Sequence, residues 1–184
     1  MNQTYLICQL LRNNHLRDIM AAPEITAEAT AEPRWLTEKE RQLWLELVEF
    51  SNGLPRAIDR QLSRDSEVSG VEYSILASIS EASPDGVRSG DLAARLQWER
   101  SRLSHLLRRM EARGLIGRCA ASTDGRGQEI SLTEAGWAKI RSAAPGHVTM
   151  VRETIFDPIS VAQQEQLLLA IGRIREAFTE RGLW

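Results

Sequence analysis

RSGDLAARLQWERSRLSHLLRRMEARGLI (residues 88–116), followed by DGRGQEISLTEAG (residues 124–136), is the stretch of this 184-residue chain whose reading decides the fold. Leu92, Ala93 and Leu96 recur at helical spacing behind Ser89, the expected N-cap. A short turn around Gln97-Trp98 separates them from a second helix, expected over about residues 99–113. There Leu103, Leu106, Leu107 and Met110 fall at i, i+3, i+4 and i+7, one apolar stripe to lay against the first helix. Gly114 stands where a helix turns left-handed to end. Leu115 to Cys119 and Gln128 to Leu132 read as two strands, because the loop between them holds Asp-Gly and Arg-Gly, both turn formers.

Positive charge collects in the same stretch. Between Val87 and Ser131 there are nine Arg (88, 95, 100, 102, 108, 109, 113, 118, 126), no Lys, and five acids (Asp91, Glu99, Glu111, Asp124, Glu129). The segment carries +4 and the remainder −6, which sums to the net charge of −2. A basic segment on an acidic remainder suits one face to a polyanion and leaves another for a different task. Arginine forks bind phosphate bidentately and match guanine edges, so this composition suits nucleic acid, and the frame that follows makes the partner double-stranded DNA. A helix, a turn, a basic helix and a basic hairpin of about residues 116–132 are the parts that set one helix in a major groove with a β-wing beside it. The N-terminal turns of such a helix meet base edges, which singles out Arg100, Ser101, Arg102, Ser104 and His105. Arg108 and Arg109 lie further along and suit phosphates. Ser89, at the start of the preceding helix, suits a phosphate through its hydroxyl and the free N–H groups there.

Around this segment the chain divides into four parts. Residues 1–35 are an extension expected to be disordered, since Ala21 to Pro33 alternates Ala, Glu and Thr with little to bury. Residues 4–20 forming a packed helix, or a natural start at Met20, remain alternatives there. Residues 36–68 are expected to form the N-terminal helix of a dimerisation region, opened by the capping box Thr37-Glu38-Lys39-Glu40 and kinked at Pro55. Residues 69–136 are the winged helix-turn-helix domain, opened by a second box at Ser69 to Glu72, with Tyr73, Leu76 and Ile79 facing inward. Residues 137–184 supply C-terminal dimerisation helices, one interrupted at Pro145-Gly146, the last capped at Ser160 to Gln163 and carrying Leu167, Leu168, Ile171, Ile174 and Phe178 on one side. The fold class is thus mainly α with a small two-stranded β-wing: a winged helix-turn-helix domain plus a helical dimerisation region.

Other chemistries find little support. His15, His105 and His147 are scattered, and no Cys/His spacing suits a metal. Neither Ser nor Cys sits in a nucleophile motif and no Gly-rich phosphate loop occurs, so neither catalysis nor a cofactor is expected. Cys8 and Cys119 read as free thiols of a cytoplasmic protein. No apolar run approaches the ~20 residues of a membrane span.

RRMEARGLI at 108–116 and DGRGQEISLTEAG at 124–136 resemble the multiple-antibiotic-resistance regulator (MarR) family of bacterial winged helix-turn-helix repressors. The family's wing pattern, Asp-x-Arg followed by Leu-Thr-x-x-Gly, is complete here as Asp124-Gly125-Arg126 and Leu132-Thr133-Glu134-Ala135-Gly136. The resemblance implies that Arg126 enters the minor groove at the wing tip, where narrow A·T-rich DNA attracts Arg, and that Asp124 orients Arg126 or the wing turn. It implies a homodimer built from the first and last helices, with two recognition helices about 34 Å apart on a pseudo-palindromic site. It also implies release by a small aromatic or phenolic effector, for which Trp44, Tyr73 and Trp98 are the candidate lining; plain core packing is the other account of those rings. The oxidant-sensing Cys that some members carry in the first helix has no counterpart between Leu36 and Asp65. Cys119 beside Arg118 is a possible thiolate or simply a small strand residue. The rival to the whole reading is a winged-helix protein-interaction module without specific DNA binding.

Overall fold

The computed structural model describes residues 34–82, 86–120 and 128–183. The proposed extension, apart from its last two residues, lies outside them, as do Asp124 and Arg126 of the wing tip. Two compact units divide the chain, Met1–Ala57 and Ile58–Trp184.

Helix α1 (Glu38–Ser66) opens on the expected capping box: the Thr37 N–H donates to Glu40 Oε2 at 2.7 Å and the Glu40 N–H to Thr37 Oγ1 at 3.3 Å. It continues past Gly53 and Pro55, so the proline does not end it. Then follow α2 (Gly70–Ser80), β1 (Val87–Arg88), α3 (Ser89–Leu96), α4 (Arg100–Ala112), β2 (Ile116–Ala120), β3 (Gln128–Leu132), α5 (Glu134–Val151) and α6 (Val161–Glu180). Full capping boxes open α2 at Ser69/Glu72 and α6 at Ser160/Gln163.

Three expectations are corrected. The sheet among the described residues has three strands, not two, in the order β1-β3-β2 and antiparallel throughout, with Val87 opposite Ile130 and Ile116 opposite Leu132. Because β1 runs straight into α3, the N-cap is Arg88 and Ser89 is the first helical residue. Helix α5 runs unbroken through Pro145-Gly146 and closes with a π-helical turn at Arg152–Phe156. Buried Ala143 and the close approach of Gly146 to the Gln61 amide hold that helix on the second unit, and packing overrides the local cost of a proline.

The core of the second unit explains why α3 and α4 sit where they do. Leu103, Leu107 and Met110 of α4 are fully buried with Leu92 of α3, Ile75 and Leu76 of α2, and Ile116 and Ile130 of the sheet. Each such side chain contributes about 1.5–3 kcal/mol on burial, so the stripe fixes which face of α4 turns outward. The C-terminal end of α4 is equally determined. Gly114 adopts φ +68°, its N–H donates to the Glu111 carbonyl at 2.8 Å, and the Leu115 N–H donates to that of Met110 at 3.0 Å. This is a Schellman closure with Leu115 folded onto the core.

Candidate nucleic-acid interface

Helix α4 is held at its base and open at its start. Its N-cap, Glu99, makes no side-chain capping bond. The turn before it depends on Gln97 in the left-handed region (φ +54°), where the Trp98 N–H reaches the Ala93 carbonyl at 3.0 Å.

Opposite the buried stripe, Ser101, His105 and Arg108 form the outermost ridge at i, i+4 and i+7, all exposed. Arg102 and Arg109 lie along one flank, also exposed; Arg100, exposed, and Ser104, half-buried, lie along the other. Two contacts order this surface. The Arg102 guanidinium sits 5.1 Å from the centroid of the Trp98 ring, a cation–π arrangement. Arg108 Nη2 is 3.1 Å from His105 Nδ1. Arginine only donates, so His105 Nδ1 is the acceptor in this contact.

Other arginines in the basic segment are engaged within the fold. Arg95 donates to the Ser78 carbonyl at 2.9 Å. Arg118 pairs with Glu111 at 3.0 Å. Arg113 pairs with the carboxylate of Glu72, which is buried and also accepts from the Ser69 N–H at 3.1 Å and hydroxyl at 3.0 Å. Burial disfavours the Glu72 charge, but the Ser69 bonds and Arg113 outweigh it and hold the carboxyl below its ordinary range. The sequence offered no signal for this pair, whose members stand 41 positions apart.

The sheet and α5 complete the frame. Thr133 caps α5 by accepting from the Gly136 N–H at 3.1 Å, while its hydroxyl donates to the Gly114 carbonyl at 2.6 Å. The same residue therefore starts α5 and grips the end of α4. Ser89 sits in the first turn of α3, half-buried.

The candidate effector residues have separate settings. Tyr73 meets the His147 ring of α5, centroids 4.8 Å apart. Burial, and behind it the Glu81 charge, raises the Tyr73 hydroxyl above its ordinary value; burial lowers His147. Trp98 packs on the core beneath Arg102. Trp44 belongs to the first unit and is 40% exposed. Among the described residues there is no cluster of three metal-ligating side chains and no helix long and apolar enough to cross a membrane.

A helix-turn-helix whose second helix leads into an antiparallel wing defines the winged helix-turn-helix class. Comparison with known proteins narrows this. A family model described as MarR family matches residues 66–127. Sco3205, a MarR family transcriptional regulator from Streptomyces coelicolor solved in complex with DNA, is 36% identical, with a TM-score of 0.74 over 81% of this chain and 93% of that one. AbsC, a MarR family transcriptional regulator from the same organism, is 32% identical with a TM-score of 0.74, over 80% of this chain and 99% of that one. The HTH-type transcriptional regulator PecS of Dickeya dadantii (strain 3937) is 28% identical over 124 residues, 67% of this chain and 74% of PecS. The chain belongs to the MarR family of transcriptional regulators.

Proposed function

We propose that this protein is a repressor that binds a pseudo-palindromic duplex DNA site as a homodimer, with α4 in the major groove and the β2–β3 wing at the neighbouring minor groove. One observation carries the reading: the ridge Ser101, His105, Arg108, flanked by Arg100, Arg102 and Arg109, is exposed on a helix whose opposite face is fully buried. In this reading Arg100, Ser101, Arg102, Ser104 and His105 meet base edges. Arg108, Arg109 and Ser89 meet phosphates. Arg126, oriented by Asp124, enters the minor groove. That the relative Sco3205 was solved in complex with DNA supports the DNA-binding reading.

The dimer is supported by apolar side chains that the single chain leaves outside. Leu43, Leu47 and Phe50 of α1 and Leu167, Leu168, Leu169 and Ile171 of α6 are all exposed. A second copy is the occupant that would cover them and set two α4 helices about one DNA turn apart. The protein acts in the cytoplasm on chromosomal DNA and performs no catalysis. Release by a small aromatic effector completes the reading; of its candidate lining, Tyr73 already meets His147 and Trp98 already meets Arg102.

Selection of bound duplexes from a genomic pool, repeated with phenolic compounds, tests both parts. A recovered palindromic motif supports the regulator, and its loss on adding a phenol supports the effector. A chain that retains no duplex at low salt points to the protein-interaction module.

A further inference from the structure

The ion pair between Glu72 and Arg113 joins the first turn of α2 to the last turn of α4. We infer that Glu72 and Arg113 are positioning residues for DNA recognition, a latch that sets the angle at which α4 presents its outward ridge. The inference rests on the DNA-binding reading above.

Four observations carry it. Glu72 is buried while Arg113 stays part-exposed, so the contact is directed inward from the end of α4 and is not a surface pairing. Glu72 is doubly committed, since its carboxylate also closes the capping box with Ser69, and this fixes the carboxylate relative to α2. Two cations on elements packed around α2 are engaged elsewhere, Lys139 of α5 on the Ser66 carbonyl at 2.9 Å and Glu67 at 3.4 Å, and Arg95 of α3 on the Ser78 carbonyl, while Arg113 pairs with Glu72. Finally, the same end of α4 is also held by Thr133 on the Gly114 carbonyl and by Arg118 on Glu111. Glu72 and Thr133 tie the base of α4 to α2 and to the N-cap of α5, whereas its start has no side-chain cap.

A latch and a direct phosphate contact make different predictions. Binding of the full-length protein is measured by fluorescence anisotropy on two duplexes, one selected from the genomic pool and one of random sequence at low salt. The variants are Glu72→Gln, Arg113→Ala and Arg113→Lys, each checked by thermal melting. The latch predicts a loss of about tenfold or more on the selected duplex for Glu72→Gln and Arg113→Ala. It predicts near-unchanged binding to the random duplex, because the exposed arginines are intact. Arg113→Lys recovers most of the loss, and the dependence of binding on salt keeps its slope. Equal losses on both duplexes, no loss on either, or a salt slope reduced by the ~0.9 of one phosphate contact in Arg113→Ala each overturn it. If Glu72→Gln does not fold, the two Arg113 variants decide alone. Wild-type protein that retains neither duplex overturns the DNA-binding reading itself, an outcome distinct from a failure of the latch.

Discussion

The carbonyl oxygen of Leu115 occupies the space that a Cβ on Gly136 would need. The last residue of the Leu-Thr-x-x-Gly motif is thus a glycine because the start of α5 lies directly on the backbone that leaves α4. Thr133, three residues earlier, donates its hydroxyl to the neighbouring Gly114 carbonyl. Motif and joint are the same object, and it couples the proposed recognition helix to a proposed dimer helix.

Gly136→Ala reverses the usual sign of a helix substitution. In an open helix interior, alanine gains about 1 kcal/mol over glycine. Here the added methyl meets backbone that has no rotamer to change, and overpacking of that kind costs about 1–3 kcal/mol or more. Urea unfolding is expected to show a clear net loss. A variant as stable as the parent, or more so, would contradict the close approach.

Thr133→Val keeps the shape and removes both hydroxyl bonds. Loss of an N-cap costs about 0.5–2 kcal/mol, and the Gly114 carbonyl also loses a donor. The expected loss is about 1–3 kcal/mol in urea titration, with Thr133→Ser retaining most of the stability. Equal losses in Ser and Val variants would show that the hydroxyl is not what matters.

His147 gives stability an acid limb. Burial against Tyr73 lowers it below its ordinary 6.5, so the unfolded chain binds a proton that the folded chain refuses. Stability therefore rises with pH across the window from the lowered value up to 6.5. The contribution is whole above that window and is lost as pH falls through it. His147→Phe keeps a ring for Tyr73 and cannot titrate. Its urea midpoint should fall less than the parent's between about pH 7.5 and about pH 5.5. Parallel slopes for the two proteins would remove His147 from the account.

Ile171→Glu tests the assembly. Ile171 lies on the α6 stripe with Leu167 and Ile174 and is 47% exposed in the single chain. A charge there is tolerated by a monomer and costly in a dimer interface. Sedimentation is expected to show a dimer for the parent and a shift to monomer for the variant. A parent that sediments as a monomer at micromolar concentration contradicts the dimer outright.

Much of this architecture was legible because local signals and the global fold agree. The three capping boxes, the α4 stripe and Gly114 are short-range patterns whose physics does not depend on the rest of the molecule. What escaped was non-local. Strand β1 has two residues, too few to show alternation, and exists because Val87 and Arg88 pair with Ile130 and Glu129. That pairing is what moves the α3 cap from Ser89 to Arg88. Pro145 suggested a break where packing keeps one helix. Arg95, Arg113 and Arg118, part of the basic count but not of the residues read as DNA contacts, face partners within the fold that no spacing rule names.

The most direct test is the affinity of the full-length protein for its selected duplex as a function of salt, measured beside Arg102→Ala and His105→Ala. Binding is expected to weaken steeply with salt and, at fixed salt, to exceed that for random duplex. A variant that gives up a base contact is expected to lose about 1–3 kcal/mol in specific binding. Binding to the selected duplex that is indifferent to salt, or unchanged in both variants, would contradict the claim that α4 reads DNA.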